Sequence, residues 1–188
     1  MRVNSFKRLL VLGLVLVGTI AEAQVKGPIE RYAATTANVA APGEPITIEL
    51  TKWSTDADRD RLASVLAWYG EKEVAGSMPT VGYLWTSASA GYSIRYAYRI
   101  PGADGGQRII LLTDRKLGAW SPDTWKPVAA GTPDPSSFSV IELRVNRAGQ
   151  GEGKTSLTTK VTFEAATKSI ALENYAAQPV ILKGVAKK

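Results

Sequence analysis

A chain of 188 residues with neither histidine nor cysteine excludes a Ser-His-Asp triad, a Cys-His pair, a zinc site of ordinary composition and a disulfide scaffold. Its 23 basic and 17 acidic residues leave a formal charge of +6. Lysines and arginines are scattered, not gathered into the basic stripe of a nucleic-acid binder, so no nucleic-acid partner is expected.

Arg2, Lys7 and Arg8 precede an apolar run from Leu9 to Ile20, and Ala21-Glu22-Ala23 is a small-x-small cleavage site. These are the three parts of a secretory leader. Residues 1–23 are therefore read as a signal peptide, and residues 24–188 as a single β-rich globular domain that is periplasmic or secreted. The leader takes three basic residues and one acid, which leaves 20 against 16, or +4, in the mature part. A domain of that length buries roughly 70% of its unfolded surface. No later apolar segment approaches the ~20 residues of a membrane span, so none is expected.

Ile29 to Val39 and Ile46 to Leu50 alternate in the manner of strands, with Pro42-Gly43 and Pro45 marking the turn. A helix is expected over residues 55–69, because Leu62, Val65, Leu66 and Tyr69 fall at i, i+3, i+4 and i+7. Ser54 is its expected N-cap, Asp56 and Asp58 suit the positive end of the helix dipole, and Gly70 is the expected stop. A weaker helical turn occupies Glu71 to Ser77. Val81, Tyr83 and Trp85 then alternate, and Tyr92, Ile94, Tyr96, Tyr98 and Ile100 alternate against Ser93, Arg95, Ala97 and Arg99, a half-buried strand with a basic outer face. Asp104-Gly105-Gly106 makes a hairpin turn, and Ile109 to Thr113 is apolar on both faces, as in a central strand. From Trp120 to about Ser137 there is no periodicity. The remainder reads as a meander: Phe138 to Arg147, Thr155 to Glu164, Ser169 to Tyr175 and Val180 to Val185, with a turn over Ala148 to Lys154. The fold class is mainly β: an antiparallel β-sandwich or flattened barrel with one amphipathic helix.

Two motifs fail on their own terms. Gly149-Gln150-Gly151-Glu152-Gly153-Lys154-Thr155 imitates a phosphate-binding loop, but Ala148 stands where its first glycine belongs and a strand follows instead of a helix. A glycine-rich hairpin turn accounts for it. Asp56-x-Asp58-x-Asp60 imitates a calcium loop, yet Arg61 and Ala67 occupy the positions that need Gly and Glu. A charged helix face accounts for that one, and neither metal nor cofactor is expected.

Carboxylate chemistry remains as the alternative function, a hydrolase acting on saccharides through two of Asp104, Asp114, Glu142, Glu164 and Glu173. The stronger pointer is aromatic. Trp120 and Trp125 flank the proline-rich stretch beside Arg115 and Lys116, and long loops without structure are often functional. A flat apolar ring with one donor suits a sugar, an aromatic ligand or a protein, unless both tryptophans anchor the loop to the core. Arg115, Lys116, Trp120 and Trp125 are thus the candidate ligand- or partner-binding residues.

Arg31-Tyr32, Trp53-Ser54-Thr55 with Arg59-Asp60-Arg61-Leu62, Met78-Pro79-x-Val81-Gly82-Tyr83, Arg95-Tyr96-Ala97, Thr113-Asp114-Arg115, Gly151-Glu152-Gly153-Lys154 and Glu173-Asn174-Tyr175 with Pro179-Val180 extend over most of the mature chain. In these segments the chain resembles a group of small exported bacterial proteins with no assigned activity. The resemblance implies one exported domain and brings no catalytic residue with it. The functional expectation is a non-catalytic exported domain that binds a small ligand or an envelope protein or polysaccharide. A preformed cavity would favour the first of these, and a filled core with an exposed patch the second.

Overall fold

The computed structural model describes residues 27–37, 43–69, 73–87, 91–119, 126–127, 138–156, 161–164, 169–172 and 180–188. In chain order the elements are β1 (Glu30–Thr36), β2 (Pro45–Leu50), α1 (Asp56–Trp68), α2 (Val74–Ser77), β3 (Gly82–Thr86), β4 (Tyr92–Pro101) and β5 (Gln107–Thr113). They continue with β6 (Gly118–Ala119), β7 (Lys126–Pro127), β8 (Val140–Val145), β9 (Gln150–Ser156), β10 (Val161–Glu164), β11 (Ser169–Leu172) and β12 (Val180–Lys187).

Eight strands close into a barrel in the order β1-β12-β9-β8-β5-β4-β3-β2, every pair antiparallel. This decides between the two expected architectures in favour of the barrel. Closure removes the sheet edges that a sandwich would leave. Walking round the barrel follows the chain, and the intervening segments are excursions: the two helices between β2 and β3, the β6-β7 ribbon after β5, and the β10-β11 hairpin after β9. Lys126–Pro127 thus supplies a short strand inside the stretch expected to lack structure.

Two apolar clusters follow from strand alternation. Tyr32, Ile46, Ile48, Leu50, Leu84, Tyr92, Ile94, Ile109, Leu111, Ile141, Leu143 and Leu182 point into the barrel. Ile110, Leu112 and Val140, on the opposite faces of β5 and β8, pack outside it with Leu62, Val74, Met78, Phe138 and Ile170. The doubly apolar β5 is therefore buried on both sides, as expected of a central strand.

Two expectations for α1 are corrected. The N-cap of α1 is Thr55, not Ser54. The Thr55 hydroxyl accepts from the Asp58 N–H, and the Asp58 carboxylate accepts from the Thr55 N–H at 2.8 Å, a reciprocal capping box. Ser54 belongs to the sheet layer: its N–H donates to the Ala97 carbonyl at 2.7 Å, and its hydroxyl accepts from the Ala97 N–H at 3.0 Å. Tyr69 is not on the buried stripe; it caps the helix and is 72% exposed. Gly70 lies outside the described residues.

In β4 the register shifts between Ile94 and Tyr96. Tyr92 and Ile94 enter the barrel, whereas Tyr96 and Tyr98 turn outward beneath α1 and Ala97 turns in. A bulge adds one residue and reverses the faces beyond it. Arg99 consequently lies on the inner side at the barrel end, not on a basic outer face.

The glycine-rich segment is mostly strand. The turn is confined to Asn146–Gly149, with Gly149 at φ 74, and Gly151 and Gly153 sit within β9, facing inward across from Val145 and Leu143. A Cβ on Gly153 would stand 2.6 Å from Leu143 Cδ2. The small inner face of β9 is what lets the neighbouring strands fill the barrel.

Candidate functional site

The middle of the barrel is solid. Leu50, Leu84, Tyr92, Ile94, Ile109, Leu111, Ile141 and Leu143 have no accessible surface, and a side chain without accessible surface borders no void that admits water. The inward faces at this level hold no room for a ligand.

One end of the barrel is closed by a polar plug. The Tyr32 hydroxyl donates to Glu30 at 2.5 Å, Lys187 Nζ reaches the same carboxylate at 3.0 Å, and Arg99 lies at 3.7 Å from it. The Arg99 guanidinium also stands 5.0 Å above the ring of Trp53. Burial, reinforced by the Glu30 carboxylate, pushes the Tyr32 hydroxyl well above its ordinary value.

At the other end Arg115 acts as a clasp. Its guanidinium pairs with Asp114 at 3.1 Å, donates to the Gly91 carbonyl at 2.6 Å and stacks 4.2 Å from the centroid of the Tyr92 ring. Asp114 accepts in turn from the Ser93 N–H, and the Tyr92 hydroxyl donates to the Leu117 carbonyl at 3.2 Å. Of the sequence-derived candidates, Arg115 is thus bound into the barrel rim and Lys116 is exposed. Trp120 and Trp125 lie outside the described residues.

Of the candidate carboxylates, Asp104, Asp114 and Glu142 have structural employment, whereas Glu173 and the side chain of Glu164 lie outside what the structure describes. Glu142 is almost fully buried on the outer face of β8, with Arg108 Nε and Arg144 Nε each at 3.0 Å. Asp104 accepts from the Gly106 N–H and holds the hairpin turn. Beside this triad an open cleft of about 710 Å³ runs between the β4-β5 and β8-β9 turns, lined in part by Arg108, Arg144, Glu152 and Lys183. Its two arginines are already engaged by Glu142. Among the described residues no group of three acidic side chains is placed to hold a metal ion, and no helix is long and apolar enough to cross a membrane.

The outer wall over β1, β2 and β3 is different. No helix is packed on it among the described residues, and it carries Tyr83 and Trp85, 41% and 38% exposed, with ring centroids 6.1 Å apart and planes inclined by 36°. Strand register places Glu49 opposite Tyr83, Thr47 opposite Trp85, and Arg31 opposite Glu49. Arg31 donates through Nε at 2.8 Å and pairs through Nη2 at 2.6 Å, both to Oε1 of Glu49. Glu49 Oε2 accepts no hydrogen bond among the described residues. The result is a two-row lattice on one surface, Tyr83-Glu49-Arg31 beside Trp85-Thr47-Ala33.

Sequence reasoning missed this wall. Val81, Tyr83 and Trp85 share a parity, and aromatics on alternate strand positions usually pack inward. Here the inward set is Gly82, Leu84 and Thr86, small enough for a crowded barrel facing Ile46, Ile48 and Leu50. The available signal was β2: its polar set Thr47 and Glu49 must face solvent, and any strand paired with it in this register turns its aromatics to the same side.

In comparisons with known proteins, no family model, curated protein or solved structure matches the chain.

Proposed function

We propose that this is an exported, non-catalytic domain that binds an envelope partner with the outside of its barrel. The observation that carries the reading is the contrast between a barrel whose middle level has no accessible surface and an outer wall that exposes two large rings beside an ion pair. Ligand sites are concave and largely preformed, and a solid interior directs binding outward. Exposed aromatics next to groups with spare hydrogen-bonding capacity are the usual material of a binding surface. Export rests on the leader at residues 1–23 and on the resemblance to small exported bacterial proteins. Trp120 and Trp125, which follow the Arg115 clasp in sequence, are a second contact region in the same reading.

The test is to purify the protein from its own host, record its native mass, and sediment it with washed envelope from the same cells. Retention with the envelope and a bare protein mass are expected. A co-purifying small molecule would replace this reading with an internal ligand site, and failure to sediment with any envelope fraction would remove the partner.

A further inference from the structure

Resting on that reading of the outer wall, we infer that the Tyr83–Trp85 lattice is a binding platform for a neutral, β-1,4-linked pyranose glycan. A pyranose ring has a face of C–H groups and a rim of hydroxyls, so its recognition needs a flat apolar surface within reach of donors and acceptors in the same plane. The wall supplies both on one sheet surface, where neighbouring strands lie about 4.8 Å apart. The rings of Tyr83 and Trp85 offer two stacking faces 6.1 Å apart, the scale of one sugar unit. Glu49, one strand away and a quarter exposed, has Oε2 available as an acceptor, Arg31 keeps donors beyond the two held by Oε1, and Thr47 adds a hydroxyl beside Trp85.

Three features select the class. The Arg31–Glu49 pair cancels its own charge, so the platform favours a neutral chain over a polyanion. The two rings follow one another along a strand, and equatorial β-1,4 linkage gives a flat ribbon that stays on such a line, whereas α-linkage curls away from it. Trp85 is also held in advance: its ring lies on the backbone of Gly91, where a Cβ would stand 2.7 Å from Cζ3. A pre-ordered ring loses little freedom when it stacks. A protein partner would instead call for a pocket that swallows an anchor side chain, and the lattice is an open surface.

The experiment follows the indole N–H signal of Trp85, in protein labelled at tryptophan and assigned with Trp85→Phe, during titration with the β-1,4-linked N-acetylglucosamine tetramer and, as control, the α-1,4-linked glucose tetramer. A saturable shift with the β-linked probe alone is expected, with a dissociation constant of about 0.1–1 mM. Tyr83→Ala should weaken it about tenfold and Glu49→Gln about threefold. Tyr83→Leu, which keeps apolar bulk without a ring face, serves if Tyr83→Ala unfolds. An unmoved Trp85 signal up to ~10 mM probe, equal response to the α-linked tetramer, or wild-type affinity in a folded Tyr83 variant would each overturn the assignment. If the protein sediments with envelope while the tetramer leaves Trp85 unmoved, the surface-binding reading stands and the glycan falls.

Discussion

Trp85 lies on Gly91: a Cβ added at position 91 would stand 2.7 Å from Cζ3 and 3.0 Å from Cε3 of the indole. Gly91 immediately precedes β4, next to Tyr92 of the Leu84↔Tyr92 pair, has φ 102, and gives its carbonyl to Arg115. One residue without a side chain therefore seats the exposed ring and receives the clasp at the barrel end. Gly91→Ala should cost about 1–3 kcal/mol, from overpacking together with the positive φ. Denaturant unfolding measures the cost, and the Trp85 indole signal should move in the folded variant. A variant as stable as the wild type with an unmoved indole would refute the contact.

Arg115 is a rim clasp by the same geometry. Arg115→Lys keeps the charge but loses the planar fork that serves Asp114 and Gly91 at once, and with it the stacking on Tyr92. A loss of about 1–2 kcal/mol is expected, against less than ~0.5 kcal/mol for exposed Lys116→Ala. Equal, negligible effects in thermal unfolding would free Arg115 for a binding role.

The capping box of α1 carries a pH signature. The Thr55 N–H, and after it the Thr55 hydroxyl, hold the Asp58 carboxyl below its ordinary 3.8. The folded state thus binds the proton less tightly than the unfolded state. The stabilisation is complete above the ordinary value and is lost as pH falls through the lowered one. Thr55→Ala should cost about 1 kcal/mol at neutral pH, and Asp58→Asn should flatten the acid limb of the stability profile below pH 3.8. An unchanged limb would mean that the box contributes nothing.

Tyr32 and Tyr96 are contrasting buried hydroxyls. Tyr32 donates to Glu30, whereas the Tyr96 hydroxyl has no hydrogen-bond partner among the described residues, and its ring stacks on Tyr98 at 5.9 Å. Tyr96→Phe should be neutral or stabilise by up to about 1 kcal/mol, while Tyr32→Phe should destabilise by about 1–2 kcal/mol. Burial, the largest cause in each, raises both hydroxyls above the ordinary 10.0. The native state therefore keeps protons that the unfolded chain releases, and stability falls as pH rises past 10.0. Tyr96→Phe should make that alkaline decline shallower; a steeper decline would contradict the burial of its hydroxyl.

How much of this was legible in the sequence depends on the range of the interaction. Where local periodicity decides, as in the inward set Ile46, Ile48 and Leu50, the run Ile109 to Thr113, or the body of α1, reading and structure agree. Ser54 and Thr55 are equally good caps by type, and only the bond between Ser54 and Ala97, 43 positions on, commits one to the sheet and leaves the other to the helix. The shift between Ile94 and Tyr96 leaves no mark in an unbroken tyrosine alternation, because both sides of β4 are apolar: one faces the barrel and the other faces α1. Gly151 and Gly153 read as a turn because the reason for them lies in Leu143 and Arg144 on the next strand. The Tyr83–Trp85 wall was not legible in the sequence, because these rings face outward through their pairing with β2, which no single segment reveals.

The barrel closes on a long-range stitch. All its other seams join strands that follow one another round the wall, but β1 meets β12, with Tyr32 opposite Lys187, 155 positions away. A chain growing from its N-terminus therefore makes β1, one lip of the seam, long before β12, the other. Until then β1 presents an open hydrogen-bonding edge, the Glu30 carboxylate lacks its lysine, and the inner faces of the early strands lack Leu182 and Val185. The whole wall must wait for its last stave, so the nascent protein remains an unsealed sheet, with an edge that neighbouring chains can pair with, until β12 has been made.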